Sequence, residues 1–436
     1  MDSVGGAKRS FNILRHLPAL GFDIQLYVPL TILSHVVNKD ALEKGTVDIV
    51  KDSLKKLESS GIVIPDYVYA YLEDRKYGKK ITEKDEVECV RNFVSSCYEA
   101  DMVYSPHENY ENCHSALYLS QLLKLPLVVL MQLEPFNKKY NVFKYMPRDY
   151  RLSLFPVFLF HYYNSWKMDR KNKALYLRML KAKNLLCLAS VSQAPLIESG
   201  LDYLCSLYNV KTRIHENPVA ADGLLTQLRS DVKGNDGVCY ARLVPEKGIF
   251  ELPYIWQRVN QAIPEAKLQI FGPFLSRRTK KAFLKIVNKL NLQKNVSYNG
   301  FVSEENLRRN VATSKVFVYP THSDAFPLSI LESIFVGTSI VTYDIPAIKE
   351  IYSDLTNVHA VKEFDINAMA NQIIHIIKMS DTEYRLENNN PRVNSFLQPR
   401  SSWENVARAE ANLLLNILGE NAGSRKQPTS LRKDII

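Results

Sequence analysis

Residues Ser323–Glu350 read SDAFPLSILESIFVGTSIVTYDIPAIKE, and they follow the apolar run Lys315–Pro320, KVFVYP. A short apolar run of this kind reads as a buried strand. Pro327 stands where a helix begins, and its fixed φ suits a first-turn position. Phe326, Ile330, Leu331 and Ile334 then recur at helical spacing. Strand, loop and helix therefore follow one another, and the helix N-terminus faces the loop. Free backbone N–H groups and a partial positive charge collect there, which suits a phosphate. Asp324 and Glu332 bracket the turn with seven residues between them.

The same alternation runs through the chain. Candidate strands are Asp23–Val28, Met102–Ser105, Leu127–Met131 and Leu185–Val191, then Val238–Ala241, Leu268–Phe271, Val296–Asn299, Val316–Tyr319 and Ser339–Tyr343. Helical patterns lie between them. Short apolar strands alternating with helices argue for parallel sheets covered on both faces, an α/β protein. Two series of strands predict two doubly wound domains, residues 1–200 and 216–397, with a break near Ser199–Glu216. Ser401–Leu418 reads as a helix with Val406, Ala409, Leu413 and Ile417 on one face. Gly419–Ile436 is polar and basic and reads as disordered.

A doubly wound domain starts with a strand, a Gly-rich loop and a helix. This sequence starts at the loop, Met1 to Gly5-Gly6, followed by a helix over Lys8–Leu20 and the strand Asp23–Val28. The first strand is missing, and its loss would leave backbone groups of two neighbours unpaired. The expectation is a true start upstream of Met1.

With 436 residues, 46% of them hydrophobic and 23% charged, the chain is globular and long enough for two domains. The most apolar run, Leu152–Phe160, is far short of a membrane span. No signal peptide is visible, since no apolar segment follows a basic start. Cys89, Cys97, Cys113, Cys187, Cys205 and Cys239 form no C-x-x-C pair and read as free thiols of a cytoplasmic protein.

The charge is localised. Lys138–Lys183 holds twelve Lys and Arg against two Asp, which equals the +10 excess of the whole chain. Aromatic residues interleave with these cations, among them Phe155, Phe158, Tyr163, Trp166 and Tyr176. That composition suits an anionic bilayer surface. Core aromatics beside solvated lysines, or a single-stranded nucleic acid, would fit it too. No nucleic-acid motif accompanies it, so the expected partner is the inner face of the cytoplasmic membrane, touched peripherally.

A second motif, YARLVPEKGIFEL over Tyr240–Leu252, follows the strand Val238–Ala241. Arg242 and Lys247 lie five apart across its turn. Two fixed cations at a sheet edge can neutralise a departing diphosphate without a metal. The plain alternative is two solvated loop cations. No D-x-D sequence or metal cluster appears, so no metal or other cofactor is expected.

Together these motifs resemble glycosyltransferase family 4, the retaining, nucleotide-sugar-dependent transferases of the GT-B fold. The family pattern is Glu, seven residues, Glu, then Gly; here Glu332 and Gly337 match, while Asp324 and Ala325 replace the first Glu and the Gly after it. The resemblance implies two Rossmann-like domains facing a cleft, with a C-terminal helix, residues 398–418, crossing back and anchored by Trp403. It implies that Arg242 and Lys247 stabilise the diphosphate, with Gly248 allowing close approach. Asp324 would face the donor sugar one methylene short of the family residue, and Glu332 would take the ribose hydroxyls. Leu328 and Ser329 would offer N–H groups, and Gly5 and Gly6 would form the first glycine loop. His107, in YSPHENY, would contact the sugar, with Glu108 a weaker acceptor-side base. Asn217-Pro218-Val219 resembles the family hinge. The implied reaction moves a sugar from a UDP- or GDP-linked donor to a glycan or lipid-linked hydroxyl, with retention. A GT-B nucleotide-sugar epimerase and a non-catalytic nucleotide-sugar-binding protein are the alternatives.

Overall fold

The computed structural model describes residues 5–37, 46–73, 81–97, 99–137, 151–230 and 232–422. Two parallel sheets dominate it. The first has the order β1 (Val103–Ser105), β2 (Leu127–Met131), β3 (Leu185–Ser190) and β4 (Lys211–Ile214). The second comprises β5 (Gly234–Tyr240), β6 (Leu268–Phe271), β7 (Val296–Gly300), β8 (Ser314–Tyr319), β9 (Ser339–Tyr343) and β10 (Val358–Val361). Its spatial order is β10-β9-β8-β5-β6-β7. β2, β8 and β9 are buried along their whole length, as continuous apolar runs in a parallel sheet should be.

Several sequence expectations are corrected. Asp23–Val28 is not a full strand: only Gln25 bridges in parallel to Val63, with Leu26 N–H donating to Val63 O and Val63 N–H to Ile24 O. One partner is too little to propagate a ladder. β4 falls inside the stretch read as a break between domains, yet it pairs with β3. Its exposed Lys211 and Arg213 belong to an edge strand and hid the alternation. β10, a short partly exposed edge strand, went unread for the same reason. The residues from 423 onward lie outside the description, but the tail expected from Gly419 begins as helix.

That helix and the first helix of the chain build the joint between the sheets. Helix α1 covers Gly5–His16, and α2 (Arg151–Lys181) is the long basic helix. The helix expected over Lys8–Leu20 ends at His16, and its last three residues form a short 3-10 turn, Pro18–Leu20. The C-terminal helix, labelled α5 below, covers Trp403–Ala422. Between them in the chain come α3 (Leu252–Ala262) and α4 (Leu328–Phe335) of the second domain. Val406, Ala407 and Ala411 of α5 pack with Ile13 of α1 and with Leu17 just after it, with Trp403 at the edge. Leu414 and Ile417 continue onto Val128 and Cys187 of the first sheet. The buried stripe is rotated from the expected one, leaving Ala409 and Leu413 only half-buried.

The rotation brings a charge inside. Glu410 is fully buried and paired with Arg9 of α1, which is also buried. Tyr104 of β1 donates to the same carboxylate, and His215 Nε2 lies 3.2 Å away. Arg9 Nε also donates to Pro218 O at 2.6 Å, within the hinge sequence. Asn217 Nδ2 donates to Pro399 O, and Ala221 and Gly223 N–H to Arg400 and Ser401 O, so two chain crossings run side by side here. Burial alone would push the Glu410 carboxyl up. Arg9, and then His215, more than offset this and hold it at about 2.

Glu410→Ala strands Arg9 without its counter-charge, and is expected to cost about 3–5 kcal/mol of stability, measured by urea denaturation at neutral pH. Because the folded-state pKa is depressed, the Glu410 contribution is present above the ordinary carboxylate range and is lost as pH falls through about 2. Acid unfolding of the variant should therefore show a shallower dependence on pH between those limits.

Candidate functional site

The second sheet changes winding direction at β5. The chain steps from β5 to β6 to β7 on one side, then returns to β8 on the other. The loops after β5 and β8 therefore part company at their carboxyl ends, and a crevice opens between them. The two motifs occupy these loops, so residues some eighty positions apart meet.

Lys247 sits in the loop after β5 and Asp324 in the loop after β8. Lys247 Nζ donates to Asp324 Oδ2 at 2.7 Å and to Ser323 O at 2.8 Å. Tyr319, the last residue of β8, donates its OH to the same Oδ2 at 2.8 Å, and Ala325 N–H donates to Oδ1 at 2.9 Å. Asp324 thus reaches the site's cation and is anchored on three sides. Both side chains are mostly shielded, at 14% and 12% exposure, so the attraction is weakly screened. Arg242 lies exposed in the same loop, and neither an ion pair nor a side-chain hydrogen bond with the described residues ties it down.

Gly248 makes the loop possible. Its φ is +66°, and a Cβ there would lie 2.0 Å from Pro320 O. Only glycine permits both the left-handed backbone and this contact with the end of β8. His322, next to Ser323, is buried between Glu251 Oε1 and Glu363 Oε1, each at 2.8 Å. Burial pulls its imidazole down, but Glu251 and Glu363 outweigh this and leave it above its ordinary value. Its backbone N–H donates to Glu246 O, a second tie between the two loops.

Helix α4 follows with Pro327 as its cap residue. The N–H groups of Leu328 and Ser329 lie in its first turn, where no intrahelical acceptor exists. Glu332, one turn on, accepts from Tyr240 OH at 3.3 Å and faces Lys8 Nζ at 3.4 Å. Lys8 belongs to α1, so a cation from the first domain reaches this carboxylate of the second. It also lies 3.5 Å from Glu304. Gly337 ends α4 with φ +73°.

Across the crevice, the first sheet presents its own carboxyl edge. Gly5 starts α1. At Gly6 a Cβ would come within 3.0 Å of His107 Nε2 and 3.1 Å of Gln132 Oε1, so the glycine brings α1 close to both. Gln132 Nε2 donates to Ser10 Oγ and Pro106 O. His107 Nδ1 lies 3.2 Å from Glu108 Oε1. Burial lowers the His107 pKa, and Glu108 raises it further than burial lowers it. Glu108 itself is buried and accepts from Gln132 N–H, so its carboxylate orients His107 and is not free for an acceptor.

Lys8, Tyr240, Gln132 and Tyr319 join the site without having been picked from sequence. Lys8 alone carried a signal, as the first cation after Gly5-Gly6. Of the basic segment, residues 138–150 lie outside the described residues. Further on, Tyr163, Trp166 and Met168 are exposed beside Lys167, Arg170 and Lys171 of α2, whereas Tyr176 is core and donates to Glu108 O. Among the described residues no group of three or more His, Cys, Asp or Glu is arranged to hold a metal, and no helix is long and apolar enough to cross a membrane. A groove of about 900 Å³ elsewhere on the first domain is lined by Asp66, Asp85 and Glu88, which disfavour an anionic ligand.

Residues 225–393 match the family model described as Glycosyl transferases group 1. Over 149 residues, 34% of this chain, the sequence is 26% identical to the poly(glycerol-phosphate) alpha-glucosyltransferase of Bacillus subtilis (strain 168). The match spans 21% of that relative's length. Anabaena HepE, solved in complex with UDP and glucose, superposes with a TM-score of 0.62 at 14% identity, covering 95% of this chain and 96% of that one. Sucrose-phosphate synthase from Thermosynechococcus elongatus gives 0.56 at 18% identity, covering 79% and 82%. At these identities the likeness is one of fold.

Gly248→Ala is expected to lower the thermal midpoint by several degrees, because a Cβ must displace the backbone of Pro320 at a cost of about 1–3 kcal/mol. Differential scanning calorimetry would show it, and an unchanged midpoint would contradict the close approach.

Proposed function

We propose that this chain, a GT-B protein whose residues 225–393 are a group 1 glycosyl transferase domain, moves a sugar from a nucleotide-sugar donor to an acceptor hydroxyl with retention. The observation that carries the reading is the Lys247–Asp324 pair at the switch point of the second sheet. It lies just before the open first turn of α4, the helix whose Glu332 meets Lys8 of α1.

In this reading the donor diphosphate lies over the N–H groups of Leu328 and Ser329. Lys247 and the free Arg242 meet the charge that grows on the departing diphosphate, and donors fixed in advance stabilise such charge without reorganising. Asp324 holds Lys247 in place and turns its ammonium toward the phosphates. Glu332, set by Tyr240 and Lys8, takes the ribose hydroxyls. His107 and the backbone at Gly6 border the sugar from the first domain. Glu332 tied to Lys8, and Ser192 Oγ donating to Ala325 O at 2.7 Å, describe domains drawn together over this space, which limits loss of the donor to water.

A UDP-linked donor is the first to test, because HepE, which shares the fold, was solved with UDP. The acceptor is a glycan or a lipid-linked hydroxyl. The exposed Tyr163 and Trp166 in the middle of α2, beside Lys167, Arg170 and Lys171, would rest on an anionic membrane and bring a lipid-linked acceptor to the first domain.

Purified protein incubated with UDP-, GDP- and ADP-sugars, with and without membrane lipid extract, should release nucleotide from one donor and release it faster with lipid. The Arg242→Ala/Lys247→Ala variant should fall by roughly 10²–10³ or more in kcat. No release with any donor would sink the reading. Retention is checked by the anomeric coupling of the product in proton NMR.

A further inference from the structure

One short stretch of chain aims Lys247. Its Nζ donates to Asp324 Oδ2 at 2.7 Å and to Ser323 O at 2.8 Å, and lies 3.4 Å from Thr321 Oγ1. His322, in the middle of that stretch, turns its ring into the second domain. The side chain is fully shielded, with Nε2 2.8 Å from Glu251 Oε1 and Nδ1 2.8 Å from Glu363 Oε1. Glu251 stands just before α3 and Glu363 just after β10, so two loops besides its own clamp the ring. Phe364 stacks on it with centroids 4.4 Å apart, and Tyr343, at the end of β9, donates to the other oxygen of Glu251. The His322 N–H donates to the carbonyl of Glu246, the residue before Lys247. Ser323 Oγ donates to Glu134 Oε1 of the first domain at 3.1 Å, so the same stretch also meets the opposite wall of the cleft.

Ionised carboxylates only accept, so a ring nitrogen facing each of them must donate, and an imidazole that donates from both nitrogens is an imidazolium. From this geometry we propose that protonated His322 is the positioning residue that fixes the direction of Lys247 toward the diphosphate, and that the reaction slows when His322 gives up its proton. The inference rests on the transferase reading given above. On deprotonation, one ring nitrogen presents a lone pair 2.8 Å from a carboxylate oxygen. Attraction turns to repulsion there, the ring withdraws, and residues 321–324 shift with it. Thr321, Ser323 and Asp324 hold the oxygens around Lys247 Nζ, so the ammonium loses its fixed direction. A cation stabilises developing charge best when it has no reorganising left to do.

The groups around the ring decide on which side of neutrality the loss falls. Burial pulls the imidazole down, and Glu251 and Glu363 raise it by more, leaving it above its ordinary value. Asp365, in the loop of Glu363, adds negative charge near Tyr343, while Lys247 lies on the far side of the 321–324 backbone. A raised pKa keeps His322 charged through the ordinary imidazole range and releases the proton only above it. The loss of rate is therefore an alkaline limb.

A purely structural histidine would be the competing account, and it is separable. Proton–carbon NMR of the full chain with labelled histidine rings measures the His322 pKa, its signal assigned by loss in His322→Gln. Nucleotide release with the donor found active in the screen gives kcat from about pH 6 to pH 9. Glu363→Gln keeps the shape of the clamp and removes one charge from a side chain that is 25% exposed. It should lower the His322 pKa by about one pH unit or more, and move the alkaline limb of kcat down by the same amount. His322→Gln, which carries no charge at any pH, should lose about 10–10²-fold in kcat at neutral pH, and the limb with it. A structural role alone would lower the thermal midpoint and leave the limb in place. The proposal is overturned by a limb that stays put while the His322 pKa falls, by a His322 pKa unmoved in Glu363→Gln, or by a ring already neutral at neutral pH. If wild-type protein releases no nucleotide from any donor, the transferase reading itself fails, a result seen apart from the NMR titration, and this inference falls with it.

Discussion

The buried pairing of Arg9 with Glu410 is the constraint on which the rest of the molecule leans. It joins the glycine-led first helix, the hinge at Pro218 and the helix that crosses back to the first sheet. An ion pair without water is held only by good geometry and further partners, and here Tyr104 and His215 supply them. Apolar packing alone would let these helices slide. The charge network gives them one register, and with it one position for Lys8 against Glu332.

From that register follows the character of the cleft. The first domain brings α1, His107 and Glu134; the second brings the two loops that diverge at β5 and β8. Each loop is tied to the other by Lys247, His322 and the close contact of Gly248 with Pro320. The substitution of Asp for the longer acid is informative in this setting. A Glu at 324 would project further into the cleft, whereas Asp324 ends at Lys247 and Tyr319. Asp324 is thereby committed to contacts with Lys247, Tyr319 and its own neighbour's backbone.

Much of the fold was legible in the sequence. The runs Leu127–Met131, Leu268–Phe271 and Ser339–Tyr343 match strands residue for residue, because strands inside a parallel sheet are largely buried and rich in apolar residues. Two of the four edge strands, β1 and β7, were read as well, but β4, with exposed Lys211 and Arg213, and the short, partly exposed β10 were not. Asp23–Val28 looked like a strand by composition, but a strand is made by its neighbours, and it has a single bridge to Val63 among the described residues.

Sequence by itself determined the α/β class, the turn chemistry at Pro327 and Gly248, and the pairing of a cation motif with a carboxylate motif. These are local properties, written in the residue types that each backbone conformation allows. Only the tertiary structure decided which side chains converge. Lys8 on Glu332, Tyr319 on Asp324, Glu410 inside the helix joint and Glu134 beside Ser323 all depend on elements that are distant in the chain. Such contacts leave no periodic trace, because a single polar residue on a loop or helix face reads the same whether it meets solvent or a partner across a cleft.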